Sequence, residues 1–203
     1  MPQCDQVAHV ISLEEVPRAI TKKDEKDTRK NKIVAKIGEH LRYSLVPGVA
    51  TGTLDGSSLK EGERGCAMAH RELWDHLRRR STPDTTHLIL EDDASIIKTE
   101  DVCGDLARVS EHMRKSKLDM VNLGPCFWNR VPEDGSPCMH AYMLSDEGVR
   151  KVYDRTDSHS HPIDLQLMDL CKRRELRCHV EELFRQSDDI SYINGSVDQW
   201  PKK

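Results

Sequence analysis

Short apolar runs alternate with helical apolar stripes along most of this chain, and that alternation limits the possible folds more than any other feature. Strand-like runs occur at 7–13, 45–49, 87–90, 118–123 and 139–144, with a last short one at 179–180. Between them, Ile33, Val34, Ile37 and Leu41 share one helical stripe. Cys66, Ala69, Leu73 and Leu77 form a second stripe, behind a cap expected at Ser57 or Ser58, and Val102, Leu106, Val109 and Met113 form a third. Further helices are expected over 145–153 and 163–174. Strands that alternate with helices predict an α/β sandwich, with a mostly parallel central sheet flanked by helices. Ligands of such sheets bind at the carboxyl ends of the strands. At 203 residues the chain suits one domain, expected over 1–190, with a polar tail over 191–203.

Charge and composition narrow the function classes. The net charge of -4 offers no global basic field for nucleic acid, and 4% aromatic residues leave little for base stacking. Neither a G-x-G-x-x-G nor a Walker sequence occurs, which argues against dinucleotide and P-loop chemistry. Seven cysteines include no C-x-x-C pair, so they read as reduced thiols packed like small core residues. Cys126 and Cys138 flank a loop that a bridge could close, although their spacing does not call for one. No apolar run approaches 18 residues and no leader-like segment precedes the first strand, so the expectation is a cytoplasmic protein without a transmembrane segment. On that basis Asn194-Gly195-Ser196 reads as a chance glycosylation sequon.

The run His87-Leu88-Ile89-Leu90 stops abruptly at Glu91-Asp92-Asp93. Three successive carboxylates repel one another, and burial adds a penalty unless a cation compensates. Hard oxygen ligands suit Mn²⁺ or Mg²⁺. In an extended segment alternate side chains share a face, so Glu91 and Asp93 are expected on one side and Asp92 on the other. Taken alone, the triplet is explained better by a solvated acidic turn.

Several segments together resemble glycosyltransferase family 25, which contains bacterial lipooligosaccharide and collagen galactosyltransferases. They are Val10-Ile11-Ser12-Leu13, then Glu63-Arg64-Gly65-Cys66-Ala67-Met68-Ala69-His70-Arg71-Glu72-Leu73-Trp74, then Leu88-Ile89-Leu90-Glu91-Asp92-Asp93-Ala94. Met139-His140-Ala141-Tyr142-Met143-Leu144-Ser145 with Gly148, and His161-Pro162-Ile163-Asp164-Leu165, complete the series. The resemblance implies a GT-A fold, a nucleotide-sugar donor such as UDP-galactose, Mn²⁺ or Mg²⁺, and inverting transfer of a hexose to a hydroxyl of a glycan or glycoconjugate.

The resemblance also implies roles position by position. Glu91 and Asp93 match the metal-binding acidic motif, with Gln186 placed near the metal. Asp92 is directed at the ribose or the donor sugar. Asp164 matches the acidic residue of the family's P-V-D segment and is the expected base or acceptor-binding group. Ser12, Leu13, Arg18, His70 and Asn122 fall on the donor side, and His140 and Tyr142 on a supporting or acceptor side. The chain departs from the family at Ser12, where asparagine is usual, and at Pro17-Arg18, where an arginine-rich stretch is usual. It is also short for the family. Two rival functions follow: an inactive module that binds a nucleotide sugar or glycan, and a metal-dependent sugar nucleotidyltransferase.

Overall fold

A computed structural model describes residues 4, 6–12, 33, 37–49, 59–80, 82–97, 100–125 and 138–186. Leu13, Arg18, the charged stretch 21–32, Ser57, Ser58, Cys126, the sequon and the tail lie outside the described residues.

Six strands form the central sheet: β1 (Val7–Ser12), β2 (Arg42–Pro47), β3 (Thr86–Glu91), β5 (Met120–Asn122), β6 (Ala141–Ser145) and β7 (Cys178–Val180). Their order is β2-β1-β3-β6-β5-β7. The pairs β2–β1, β1–β3 and β5–β7 are parallel, whereas β6 runs antiparallel to both β3 and β5. The sheet is therefore mostly parallel with one reversed strand. Two short strands, β4 (Ala94–Ile96) and β8 (Phe184–Gln186), pair antiparallel beside it.

Helices cover both faces. On one face Leu88, Leu90, Val10 and Met143 pack with Ile33 and Ile37, and with Val102, Leu106, Val109 and Met113 of α2 (Val102–Ser116). On the other face Ile89, Tyr142 and Leu144 pack with Leu73, Trp74 and Leu77 of α1 (Glu61–Arg78), with Val149 and Val152 of α3 (Asp146–Arg155), and with Leu167 and Leu170 of α4 (Ile163–Lys172). Period-two alternation along β3 feeds both cores, so Leu88, Ile89 and Leu90 are all fully buried. The expected α/β sandwich is thus present, the expected stripes of α1 and α2 are core faces, and Ile33, Ile37 and Leu41 of the remaining stripe are buried.

Two expectations change. Helix α1 starts at Glu61 and its cap position is Lys60, whose backbone N–H donates to Glu63 Oε2 at 2.9 Å. The Glu63 carboxylate thus reaches back to the chain before the helix, and no serine is needed at that position. The cysteines are not all reduced thiols. Cys4 is bonded to Cys103, Cys171 to Cys178, and Cys138 is also disulfide-bonded. Cys4 and Cys103 are 99 residues apart and meet within one core cluster, which no local spacing announces. Among the described residues Cys66 is the free thiol. No described helix is long and apolar enough to cross a membrane.

Candidate active site

The parallel pairing of β1 with β3 sets Ile11 opposite Glu91, so the carboxyl ends of both strands finish side by side. Because β6 is reversed, its amino end arrives at the same edge, where the Glu91 N–H donates to the His140 carbonyl at 2.8 Å. Ser12, the acidic triplet, Asn122 and His140 therefore lie at one end of the sheet.

The triplet is not one extended segment. Strand β3 ends at Glu91, Asp92 and Asp93 form a turn, and β4 begins at Ala94. The two-face alternation expected of an extended chain does not govern these side chains. Instead each carboxylate is held by a different element. Glu91 Oε1 accepts from His70 Nε2 at 3.0 Å and from Cys66 Sγ at 3.4 Å, both on α1. Asp92 Oδ2 accepts from Ser12 Oγ at 2.9 Å, at the end of β1. Asp93 is 5% exposed, and its Oδ2 accepts from Gln186 Nε2 at 2.9 Å, on β8. The β4–β8 pairing sets Ala94 opposite Gln186 and so delivers that amide.

Electrostatics follow from this arrangement. Burial pushes the Glu91 carboxyl upward, but the hydrogen bonds from His70 and Cys66 leave it below its ordinary value. Asp164 stands in the first turn of α4, where its Oδ1 accepts from the Leu165 N–H at 2.9 Å. Burial, with added repulsion from Glu91 and Glu63, raises its pKa to about 6. Burial first, then the charges of Glu91, Asp164 and Asp93, push the Cys66 thiol well up. Asp164 thus lies within electrostatic reach of Glu91 and Cys66, although 71 positions separate it from Asp93 in sequence.

The remaining expected residues are supports in this geometry. His70, fully buried, is gripped on its far side by Tyr142 Oη at 2.7 Å, which also accepts from Trp74 Nε1 at 3.1 Å. Asn122 braces the backbone: its Nδ2 donates to the Cys138 carbonyl at 2.9 Å and its Oδ1 accepts from the Gly124 N–H at 3.0 Å. The His140 ring is buried over Gly124, where an added Cβ would come within 2.2 Å of Nε2. Neither of its ring nitrogens has a hydrogen-bond partner among the described residues, and burial lowers its pKa to about 4. Sequence reasoning missed Cys66 as a group touching Glu91. Its one-turn spacing from His70 was the available signal. A cavity of about 570 Å³, lined by Arg71, Asp75, Arg79 and Tyr153 among others, opens beside α1, and none of Glu91, Asp92, Asp93 and Asp164 lines it.

A cation fits the donor set. Three successive carboxylates share one strand end, and repulsion from Glu91 reaches as far as Asp164. A hard divalent ion relieves such a field and takes oxygen ligands of this kind.

No protein-family profile and no curated protein matches the sequence. Solved structures do match in fold. A glycosyltransferase involved in the glycosylation of the major capsid of PBCV-1 aligns over 92% of this chain and 94% of its own, at 10% identity and a TM-score of 0.50. Protein A197 from STIV aligns over 88% of this chain and 83% of its own, at 10% identity and a TM-score of 0.48. A protein of Desulfovibrio desulfuricans G20 described as a nucleotide-diphospho-sugar transferase aligns over 91% and 82%, at 12% identity and a TM-score of 0.44. What the likeness to the PBCV-1 enzyme establishes is the fold, an α/β architecture of the GT-A type.

Proposed function

We propose that this protein is a metal-dependent glycosyltransferase that moves a hexose from a nucleotide-sugar donor to a hydroxyl of a glycan or glycoconjugate. The observation that carries the reading is the gathering of three separately anchored carboxylates at the strand ends, with the half-buried Asp164 within electrostatic reach of Glu91. The GT-A architecture supports it. The motif series from Val10 to Leu165 supports a relationship to glycosyltransferase family 25, with UDP-galactose as the leading donor and inversion as the stereochemical course.

Glu91 and Asp93 would hold Mn²⁺ or Mg²⁺, with Gln186 fixing Asp93. When bound, the ion acts as a Lewis acid on the departing diphosphate. Every other task falls to side chains. His70 and Cys66 keep Glu91 ionised and aimed, and Ser12 fixes Asp92 toward the ribose or donor sugar. Asp164 takes the proton from the acceptor hydroxyl as that oxygen attacks the anomeric carbon. Its raised pKa makes it a stronger base than an ordinary aspartate while leaving it ionised at neutral pH. Leu13 and Arg18 are assigned to the donor side on motif position alone.

The test is to incubate the protein with Mn²⁺ and a panel of nucleotide sugars and to follow free nucleoside diphosphate. Release with one donor, abolished in Asp93→Ala, is the expected result. Donor binding without release would instead favour an inactive binding module. Pyrophosphate release from a nucleoside triphosphate and a sugar phosphate would favour a nucleotidyltransferase.

A further inference from the structure

Cys66 and His70 are one turn apart on α1, so both side chains leave the same face of the helix. That face meets the end of β3, and Glu91 closes the third corner of a triangle. Cys66 Sγ lies 3.4 Å and His70 Nε2 3.0 Å from the same carboxylate oxygen, Glu91 Oε1. The three ligand atoms all fall within 4.8 Å of one another. Around a tetrahedral zinc ion, a sulfur at about 2.3 Å and an oxygen at about 2.0 Å stand about 3.5 Å apart, and a nitrogen–oxygen pair about 3.3 Å apart. Two sides of the triangle already have nearly those lengths.

The surroundings suit a ligating imidazole as well. Metal-bound histidines are oriented by a partner on the ring nitrogen that does not bind metal. Here Tyr142 Oη holds His70 Nδ1 at 2.7 Å, and Trp74 Nε1 in turn holds Tyr142. Cys66 and Glu91 are half-buried, which leaves one side open for an ion and a fourth ligand such as water. The set is one sulfur, one nitrogen and one oxygen. It is softer than the all-oxygen set of the acidic turn and favours zinc over magnesium or manganese.

We propose that Cys66, His70 and Glu91 form a zinc-class site that borrows Glu91 from the acidic centre. Binding replaces two hydrogens. The Cys66 thiol proton leaves to solvent. The His70 ring shifts its proton from Nε2 to Nδ1, where Tyr142 Oη becomes the acceptor. The ion then takes the electron pairs of Sγ, Nε2 and Oε1, and Glu91 is withdrawn from any ion held with Asp93. That last consequence, inhibition by zinc, rests on the transferase reading; the binding itself does not.

The test uses the whole protein and the metal alone, with Co²⁺ as an optical stand-in for zinc. One equivalent of Co²⁺ should produce a thiolate-to-metal absorption band in the near ultraviolet. Zn²⁺ should abolish the band and an equal concentration of Mn²⁺ should not. Cys66→Ser should lack it. Absence of the band in the unsubstituted protein, or its persistence in Cys66→Ser, overturns the proposal. Should Cys66→Ser fail to fold, the unsubstituted protein still decides: Zn²⁺ should slow iodoacetamide labelling of the Cys66 peptide at least about tenfold, since the bound thiolate is no longer a free nucleophile. An unchanged rate overturns the site. Neither readout needs a donor or turnover. A protein with the band but no nucleoside diphosphate release keeps the site and loses the transferase reading. One that turns over without the band keeps the reading and loses the site.

Discussion

The Asp164 carboxyl, raised to about 6 by burial and by the neighbouring charges of Glu91 and Glu63, is ionised at neutral pH yet binds a proton more readily than an exposed aspartate. Asp164→Asn should therefore lower kcat by about 10²–10⁴ while leaving donor binding nearly intact, because only the proton transfer is lost. In the unsubstituted protein kcat/KM should rise with pH to a plateau, with the acid limb near pH 6 or below it, since a bound cation favours the ionised carboxylate. A pH–rate profile of both proteins checks this. The residue scale is also where Gly124 matters. A Cβ there meets the buried His140 ring at 2.2 Å, so Gly124→Ala should cost about 1–3 kcal/mol, read as a lowered urea midpoint. Glu91, Asp92, Asp93 and Asp164 were legible as candidates from residue type and motif order. What held each of them was not. Ser12 and Asp92 are 80 positions apart and Asp93 and Gln186 are 93, and such pairings follow from the sheet's register rather than from any local pattern.

The long periodic elements were legible, and so were the three-residue strands β5 and β7, but β4 and β8 were not. Helix α2 buries the four residues that its stripe named, Val102, Leu106, Val109 and Met113. Strands β4 and β8 are three residues each, too short for alternation to register, and they form only by pairing with one another. Their absence from the sequence reading is why the side-chain directions of Asp92 and Asp93 were expected from an extended segment. The junction of β6 and α3 illustrates how tightly elements are seated. The Ser145 hydroxyl accepts from the Gly148 N–H at 3.1 Å, and a Cβ on Gly148 would lie 2.0 Å from the Asp119 carbonyl oxygen. That oxygen is backbone just before β5 and has no rotamer with which to yield. Gly148→Ala should destabilise the fold by about 1–3 kcal/mol, with donor affinity unchanged in the fraction that folds. Chemical denaturation alongside donor titration separates the two effects.

For the molecule as a whole, the same burial that builds the site sets its tolerance of acid. His140 and His9 have pKa values lowered from 6.5 to about 4, by burial in both cases and for His9 also by the neighbouring His87 and His76. Between those values the unfolded chain binds more protons than the folded one, so the stability these histidines contribute is complete above pH 6.5 and is lost as pH falls toward 4. Asp164 acts in the opposite sense between pH 3.8 and 6, and two histidines outweigh it. Urea midpoints should fall between pH 7 and pH 5. The disulfides are a second whole-molecule property. Cys4–Cys103 closes a long loop, and reducing such a bond typically costs about 2–4 kcal/mol. Melting with and without reductant should show that loss. The sandwich was legible because strand and helix patterns alternate, and the Cys4–Cys103 staple was not, because its partners lie 99 positions apart and meet only once the sandwich has formed.

All of this turns on whether the strand-end carboxylates serve to hold a cation against a donor diphosphate. The most direct measurement is calorimetric titration of nucleoside diphosphate into the protein, with Mn²⁺ and again with chelator, in the unsubstituted protein and in Asp93→Asn. Binding that requires Mn²⁺ and is lost in Asp93→Asn is the predicted result. Undiminished binding in chelator, or in Asp93→Asn with Mn²⁺ present, would contradict it.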